Sequence, residues 1–156
     1  MANPDFMHRA IAISREKMEA NMGGPFGAVI VRDGKIIAEG FNKVTSTNDP
    51  TAHAEVVAIR EACQKIGDFS LKGAEIYTSC EPCPLCLAAI FWARIETIYY
   101  ANTRADAAEI GFDDAVLYEE IARPLDKRIL PIHRLDHAEA RKVFDDWMNK
   151  EDRIEY

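Results

Sequence analysis

Three of the four cysteines lie within residues 80–86, in the segment TSCEPCPLC that spans residues 78–86. Cys83 and Cys86 are three positions apart, and at the start of a helix this spacing points both side chains the same way. A helix N-terminus also stabilises negative charge and lowers the pKa of a thiol. These two cysteines are therefore predicted to work as thiolates, either as metal ligands or as a redox pair.

A second chemical group comes from His53 and Glu55, at the start of another predicted helix. Two thiolates and one imidazole suit Zn²⁺, and three protein ligands leave one tetrahedral position for water, which indicates catalysis. Zinc lowers the pKa of such a water towards ~7. In the first helical turn Glu55 can reach this water and serve as general acid and base. The predicted ligands are His53, Cys83 and Cys86, and a structural zinc site or a redox dithiol is the alternative.

Cys80 is the remaining thiol of the cluster. It lies three residues before Cys83 and could form a second Cys-x-x-Cys pair with it. A third thiolate would fill the open position of the metal, and residues of the preceding strand point to alternating faces. We therefore predict that Cys80 packs behind the site and is not a ligand.

The elements that position these residues alternate between helices and strands. A DG turn between two β-rich segments predicts a hairpin, and apolar periodicity predicts the helices. Helices are predicted over about 4–22, 52–66, 83–94, 115–122 and 137–152, and strands over 26–31, 35–39, 74–78 and 97–101, with a weak fifth strand over 128–135. This pattern predicts one α/β domain over residues 1–156, with one mixed sheet and helices on both faces.

The charge and composition of the chain limit the classes of partner that it is expected to bind. The net charge is −7, and residues 79–156 carry 10 basic and 16 acidic side chains, which gives −6 for that half. Nucleic-acid surfaces need clustered Lys and Arg, so this distribution argues against a nucleic-acid partner. The N-terminus lacks the features of a signal peptide, and the longest apolar run, Leu85–Ala93, is too short to span a membrane. We expect a cytoplasmic protein with no membrane partner.

The combination His-x-Glu…Pro-Cys-x-x-Cys is the signature of zinc nucleobase deaminases. The segments HAE, TSCEPCPLC and PFGAVIV resemble the cytidine/deoxycytidylate deaminase superfamily, in the branch that holds tRNA adenosine deaminases and small guanine deaminases. The resemblance implies a three-layer αβα cytidine deaminase-like fold, a homodimer and one zinc ion per subunit. It also implies that His53, Cys83 and Cys86 are the ligands and that Glu55 is the proton shuttle.

The GFDD segment at residues 111–114 and the acidic end of the chain resemble bacterial-type guanine deaminases in particular. This closer resemblance implies a small purine substrate, an assisting role for Asp114 in departure of the amine, and a C-terminal segment exchanged between subunits. The residues expected to bind the substrate are Asn42, Phe26, Ala54, Trp92, Phe112 and Tyr156, the last as a lid.

Other interpretations stay open from the sequence. Asp114 could cap the following helix, Asn42 could be a turn residue, Trp92 could belong to the core and Tyr156 could be a frayed terminus. A tRNA adenosine deaminase, a cytosine or aminotriazine deaminase of the same superfamily, and a non-catalytic zinc-binding module are the alternative functions.

Overall fold

A computed structural model describes residues 2–156. Among these residues there are seven α-helices and four β-strands. The helices are α1 (Pro4–Glu19), α2 (Val44–Thr47), α3 (Ala54–Ile66), α4 (Pro84–Trp92), α5 (Arg104–Glu109), α6 (Ala115–Ala122) and α7 (Ala138–Asn149), and a 3₁₀ turn covers Leu125–Lys127. The strands are β1 (Gly27–Arg32), β2 (Lys35–Phe41), β3 (Ala74–Cys80) and β4 (Thr97–Asn102). The chain divides into two compact units, one ending at Ala115 and the other covering Val116–Tyr156.

The sheet lies in the first unit and is mixed, as predicted. Its strand order is β2-β1-β3-β4, with β1 antiparallel to both of its neighbours and β3 parallel to β4. Asp33 and Gly34 join β1 to β2 with positive φ angles of 53° and 70°, and a two-residue hairpin turn of this kind suits the strand twist. The parallel pair needs a crossover, and α4 supplies it.

Helices cover both faces of the sheet, so the first unit has three layers. On one face Val29, Val31 and Tyr77 pack with Ala10 and Ile13 of α1. On the other face the next residues along the same strands form a second core with α3 and α4, whose buried members include Ala28, Ile30, Ile76, Ala54, Ala58, Ala62 and Ile90. The alternation of side chains along each strand produces this division. The predicted three-layer αβα fold is confirmed.

Close packing of α3 against β2 fixes the place where α3 begins. A Cβ atom at Gly40 would lie 2.1 Å from the Ala54 carbonyl oxygen, so only glycine lets the strand approach the first turn of the helix. Because α3 begins at Ala54, with His53 as its extended N-cap residue, this contact sets the position of His53 and Glu55. A larger residue at position 40 would push that turn away from the sheet.

Three parts of the predicted element pattern were wrong. Residues 44–47, predicted as loop, form the single turn α2, and the short helix α5 was not predicted. The predicted fifth strand is absent: residues 128–135 contain no strand. Pro131 lies in the middle of that segment and cannot donate a ladder hydrogen bond. No helix among residues 2–156 is long and apolar enough to cross a membrane.

One ion pair ties α1 to β2 and leads to a pH prediction. The Arg9 guanidinium donates to both carboxylate oxygens of Glu39, at 2.8 and 2.7 Å, and this contact holds the pKa of Glu39 below its ordinary value of 4.5. A lowered folded-state pKa stabilises the fold above the ordinary pKa, and the contribution is lost as pH falls. Both side chains are 38% exposed, so we expect less than about 1 kcal/mol.

The test is urea unfolding of wild type and Glu39→Gln at several pH values. The difference in unfolding free energy should be present at pH 7 and should shrink below about pH 4.5. A difference that stays constant down to pH 3 would contradict the assignment.

Candidate active site

Two helix starts bring together one imidazole and two thiols. His53 and Cys83 are the N-cap residues of α3 and α4, and both have extended backbone angles. Cys86 lies in the first turn of α4 and is buried. The Nδ1 atom of His53 lies 3.5 Å from the Cys83 Sγ and 3.4 Å from the Cys86 Sγ, and the two sulfurs are 3.6 Å apart.

These separations match a tetrahedral zinc site. With Zn–S near 2.3 Å and Zn–N near 2.0–2.1 Å, tetrahedral geometry places two sulfurs about 3.8 Å apart and a sulfur and a nitrogen about 3.6 Å apart. The three donor atoms all lie within 4.8 Å of one another, so one ion could reach each of them. The donor set therefore fits zinc with three protein ligands.

The charges of the three side chains also suit a cation. Contact with Cys86 chiefly, and with His53, lowers the pKa of Cys83 to about 4. Contact with Cys83, together with burial, raises the pKa of Cys86. Two adjacent sulfurs can both become thiolates only where a positive charge compensates them. A bound cation would therefore suit this group of side chains.

Glu55 lies directly beside these three side chains. Its side chain is buried, with only 7% of its surface exposed. Its Oε2 atom accepts a hydrogen bond from the Cys86 thiol at 3.3 Å, and its Oε1 atom lies 3.4 Å from the Thr78 hydroxyl. Burial raises the pKa of Glu55 above its ordinary value of 4.5. A carboxyl group with a raised pKa is suited to both taking up and releasing a proton.

A cavity of about 580 Å³ opens onto this group. It lies within the first unit and brings together nine of the residues predicted from the sequence: Phe26, Asn42, His53, Ala54, Glu55, Cys83, Cys86, Phe112 and Asp114. Of the other two predicted site residues, Trp92 is not part of the lining and Tyr156 belongs to the Val116–Tyr156 unit.

Comparison with known proteins places this site in a family. Residues 2–102 match the family model described as the cytidine and deoxycytidylate deaminase zinc-binding region. The chain belongs to this deaminase family. It is 50% identical to the guanine deaminase of Bacillus subtilis over 156 residues, which is the whole of both chains.

Two further comparisons concern a solved structure and a tRNA-specific relative. The crystal structure of guanine deaminase from Bacillus subtilis matches with a TM-score of 0.97 and covers 100% of this chain and 99% of that one, at 50% identity. A tRNA-specific adenosine deaminase from Agrobacterium fabrum is 43% identical over 108 residues, which is 68% of this chain and 70% of that protein. The fold of this chain is therefore the fold of the deaminase family.

Aromatic and acidic side chains of this deaminase line the cavity beyond the metal ligands. Phe26 and Phe112 meet edge to face, with ring centroids 4.9 Å apart and an interplanar angle of 87°. Burial chiefly, and the nearby charge of Cys83, raise the pKa of Asp114. Asp113 makes a local turn contact, in which its Oδ1 accepts from the Ala115 amide at 2.9 Å, and it is not among the residues that line the cavity. The structure thus places Asp114, and not Asp113, in the cavity.

Asn42 has one side of its amide already engaged. Its Oδ1 atom accepts from the backbone N–H groups of Val44 and Gly24, at 3.2 and 3.4 Å. The residue is buried, with 7% of its surface exposed. Asn42 is therefore both a turn residue and a cavity residue, and its NH₂ group is the part left to donate to a ligand.

Trp92 was expected either to line the pocket or to join the core, and the structure supports neither in this chain. Trp92 is 62% exposed and Phe91 is 70% exposed. Their helix α4 is apolar on all sides, but a helix packed on a sheet buries only one face. Cys86 and Ile90 form that buried face, so the outward aromatic side chains remain exposed.

Cys80 stands apart from the ligand group, although it lines the same cavity. Its thiol lies 3.6 Å from the Thr103 carbonyl oxygen, and the cluster of possible metal ligands comprises His53, Cys83 and Cys86. Burial raises the pKa of Cys80 to about 11. Thr78 was not among the site residues predicted from the sequence. Its hydroxyl within the buried strand β3 was the signal that could have drawn attention to it.

Proposed function

We propose that this protein hydrolyses guanine to xanthine and ammonia, with zinc as its cofactor. The observation that carries the proposal is one cavity that holds the ligand group, Glu55 and a second carboxyl group, Asp114. The guanine deaminase relative spans all 156 residues, whereas the tRNA-specific relative spans 68% of the chain. This difference in coverage favours a purine base over a tRNA as the substrate.

The reaction replaces the amine at C2 of guanine with an oxygen from water. Zinc held by His53, Cys83 and Cys86 would supply activation of that water by lowering its pKa. Glu55 takes a proton from the attacking water and delivers it to a ring nitrogen beside C2. The C2–O bond forms first. The C2–N bond then breaks as the proton of the new C2 hydroxyl is transferred to the departing nitrogen, which leaves a carbonyl at C2 and releases ammonia.

Asp114 is suited to assist the departure of the amine from C2. Its raised pKa lets it hold the amine by a hydrogen bond and help it to depart as neutral ammonia. Glu55 and Asp114 can divide the proton transfers, with Glu55 serving the water and Asp114 serving the amine. Phe26 and Phe112 offer apolar surface for the purine ring, and Ala54 leaves room for the ring beside the metal ligands.

Asn42 would select the base through its donors. Since the backbone occupies its oxygen, the amide can offer only N–H groups to a substrate. The edge of guanine near C6 presents the acceptors O6 and N7, whereas adenine presents an amine at C6. A donor in this place favours a carbonyl at C6 and disfavours an amine.

We predict that Asn42→Asp lowers kcat/KM for guanine by about 100-fold, because the donors are replaced by acceptors and a negative charge. Steady-state kinetics on guanine checks this, with Asn48→Asp as the matched control. Asn48 is the C-cap residue of α2 and is exposed, so its variant should keep wild-type kcat/KM. An Asn42→Asp enzyme with unchanged kcat/KM would remove the selectivity role.

The test of the function is a substrate panel with zinc-loaded protein, in which ammonia release is measured for guanine, guanosine, cytosine, an aminotriazine and a tRNA anticodon stem-loop. Guanine should give the highest kcat/KM. A higher value for cytosine or the triazine would assign the alternative base, and activity on the stem-loop alone would assign tRNA editing. Zinc binding without activity on any of them would indicate a non-catalytic module.

We further propose a cytoplasmic enzyme of purine metabolism that works as a homodimer with one zinc per subunit and an exchanged C-terminal segment. Neither α6 nor α7 has a buried residue, and Leu135, Phe144 and Met148 are 91%, 68% and 63% exposed. Apolar surface of this kind usually contacts a partner, and a second subunit that also receives Tyr156 as a lid would cover it. Light scattering on the eluting protein should give twice 17.5 kDa, and the monomer mass would contradict the proposal.

A further inference from the structure

Thr78 is a polar side chain at a buried position of the sheet whose neighbours in the core are apolar. It lies in β3, with 1% of its surface exposed, on the face that carries Ile76 into the core with α3 and α4. A valine has nearly the same shape and would pack there without a buried hydroxyl. A hydroxyl group in such a place must make hydrogen bonds to offset its loss of water.

Two acceptors lie within reach of that hydroxyl. The Thr78 Oγ1 atom is 3.0 Å from the Cys80 carbonyl oxygen and 3.4 Å from the Oε1 atom of Glu55. A hydroxyl has one proton to donate and two lone pairs that accept. With its proton on the nearer carbonyl, Thr78 presents a lone pair to Glu55, and by rotating it can present the proton instead.

The two oxygens of Glu55 consequently have different surroundings. Oε1 points to Thr78 on the sheet, and Oε2 lies 3.3 Å from the Sγ of the ligand Cys86. A contact that holds Oε1 against the sheet leaves Oε2 to face the metal group and the water. A Cys86 thiolate bound to zinc would have no proton to donate, whereas the Thr78 hydroxyl would still have one.

We propose that Thr78 is a positioning residue that fixes the Glu55 carboxyl group, with Oε1 on the sheet and Oε2 towards the attacked water. This inference rests on the proposed function of Glu55 as proton shuttle. The Thr78 hydroxyl, 3.4 Å from Oε1, can donate to this oxygen or accept from it. Valine at this position could do neither.

The first test compares Thr78→Val with Thr78→Ser in zinc-loaded protein. Because misplacement by a fraction of an ångström is costly in a proton transfer, Thr78→Val should lose about 10-fold to 100-fold in kcat while KM stays within about twofold. Thr78→Ser keeps the hydroxyl and should stay within about threefold of wild type in kcat. Equal losses in both variants would show that the methyl group matters instead and would overturn the proposal.

The control removes a neighbouring buried hydroxyl that does not touch Glu55. Ser79 lies next in β3, is buried, and accepts a hydrogen bond from the Gly27 amide at 3.0 Å. Ser79→Ala should lower stability towards urea but leave kcat within about twofold. If Ser79→Ala lowers kcat as much as Thr78→Val does, general loss of packing explains the effect and the proposal fails.

The second test does not depend on the substrate. In protein labelled with ¹³C at the glutamate carboxyl carbons, the Glu55 resonance is the one missing from Glu55→Gln. It should shift and broaden in Thr78→Val, or in Thr78→Ala if the valine variant does not fold, and stay in place in Thr78→Ser. An unmoved resonance would overturn the proposal. If wild type is inactive on guanine but this pattern appears, the proposed function fails while the positioning stands.

Discussion

Glu55→Gln is expected to keep its zinc and to lose about 10³-fold in kcat. The substitution leaves the size of the side chain unchanged but removes the group that takes and returns the proton, and a general acid and base contributes about 10²–10⁴-fold. Glu55 is not among the three donors that lie together, so the metal content should not change. Steady-state kinetics and metal analysis of the same preparation check both halves.

The matched control for this variant is Glu61→Gln. Glu61 lies six residues further along α3 and is exposed, so the same chemical change there should leave kcat within about twofold. A Glu55→Gln enzyme with wild-type turnover would remove the proton shuttle from the account. Loss of zinc from Glu55→Gln would instead indicate that Glu55 is a metal ligand, which would contradict the geometry of the site.

Cys86→Ala is expected to abolish both zinc binding and activity. Cys86 is buried and its Sγ lies 3.4 Å from the His53 Nδ1 and 3.6 Å from the Cys83 Sγ, so its removal leaves two of three ligands. We expect the zinc content to fall from about one per chain to less than about 0.1 after dialysis, because each ligand supplies a large share of the binding free energy. Metal analysis by mass spectrometry measures this directly.

Cys80→Ala provides the comparison, since this thiol lies in the same segment but faces the Thr103 carbonyl. Zinc should remain at about one per chain in that variant. Loss of zinc from Cys80→Ala would indicate a closed site with four ligands, which fits a structural role. Retention of zinc by Cys86→Ala would show that the ligand set is wrong.

The grouping of His53, Cys83 and Cys86 could be predicted from the sequence because its geometry is mostly local. Cys83 and Cys86 belong to one helical turn, and spacing alone places both sulfurs on one side. His53 and Glu55 likewise begin a single helix, although that helix begins two residues later than predicted. The hairpin and the alternating strands followed from equally local signals, the Asp33-Gly34 turn and the two-residue period.

The rest depended on contacts between residues distant in the chain. The strand order β2-β1-β3-β4 leaves no mark on any one segment. The engagement of the Asn42 oxygen by Gly24, and the approach of Thr78 to Glu55 across 23 positions, appear only when the chain is folded. Trp92 remains a prediction as a site residue; in the single chain it lies on a face of α4 that the sheet does not cover.

The most direct test of the central claim is turnover of guanine by the zinc-loaded protein in ¹⁸O-labelled water, with xanthine and ammonia both quantified. Hydrolytic deamination predicts one ammonia for each xanthine, and one ¹⁸O atom per xanthine, located at C2. The signal should be absent from Glu55→Gln over the same time. Guanine that remains unconverted, or xanthine without oxygen from the solvent, would contradict the assignment of this site as a guanine deaminase.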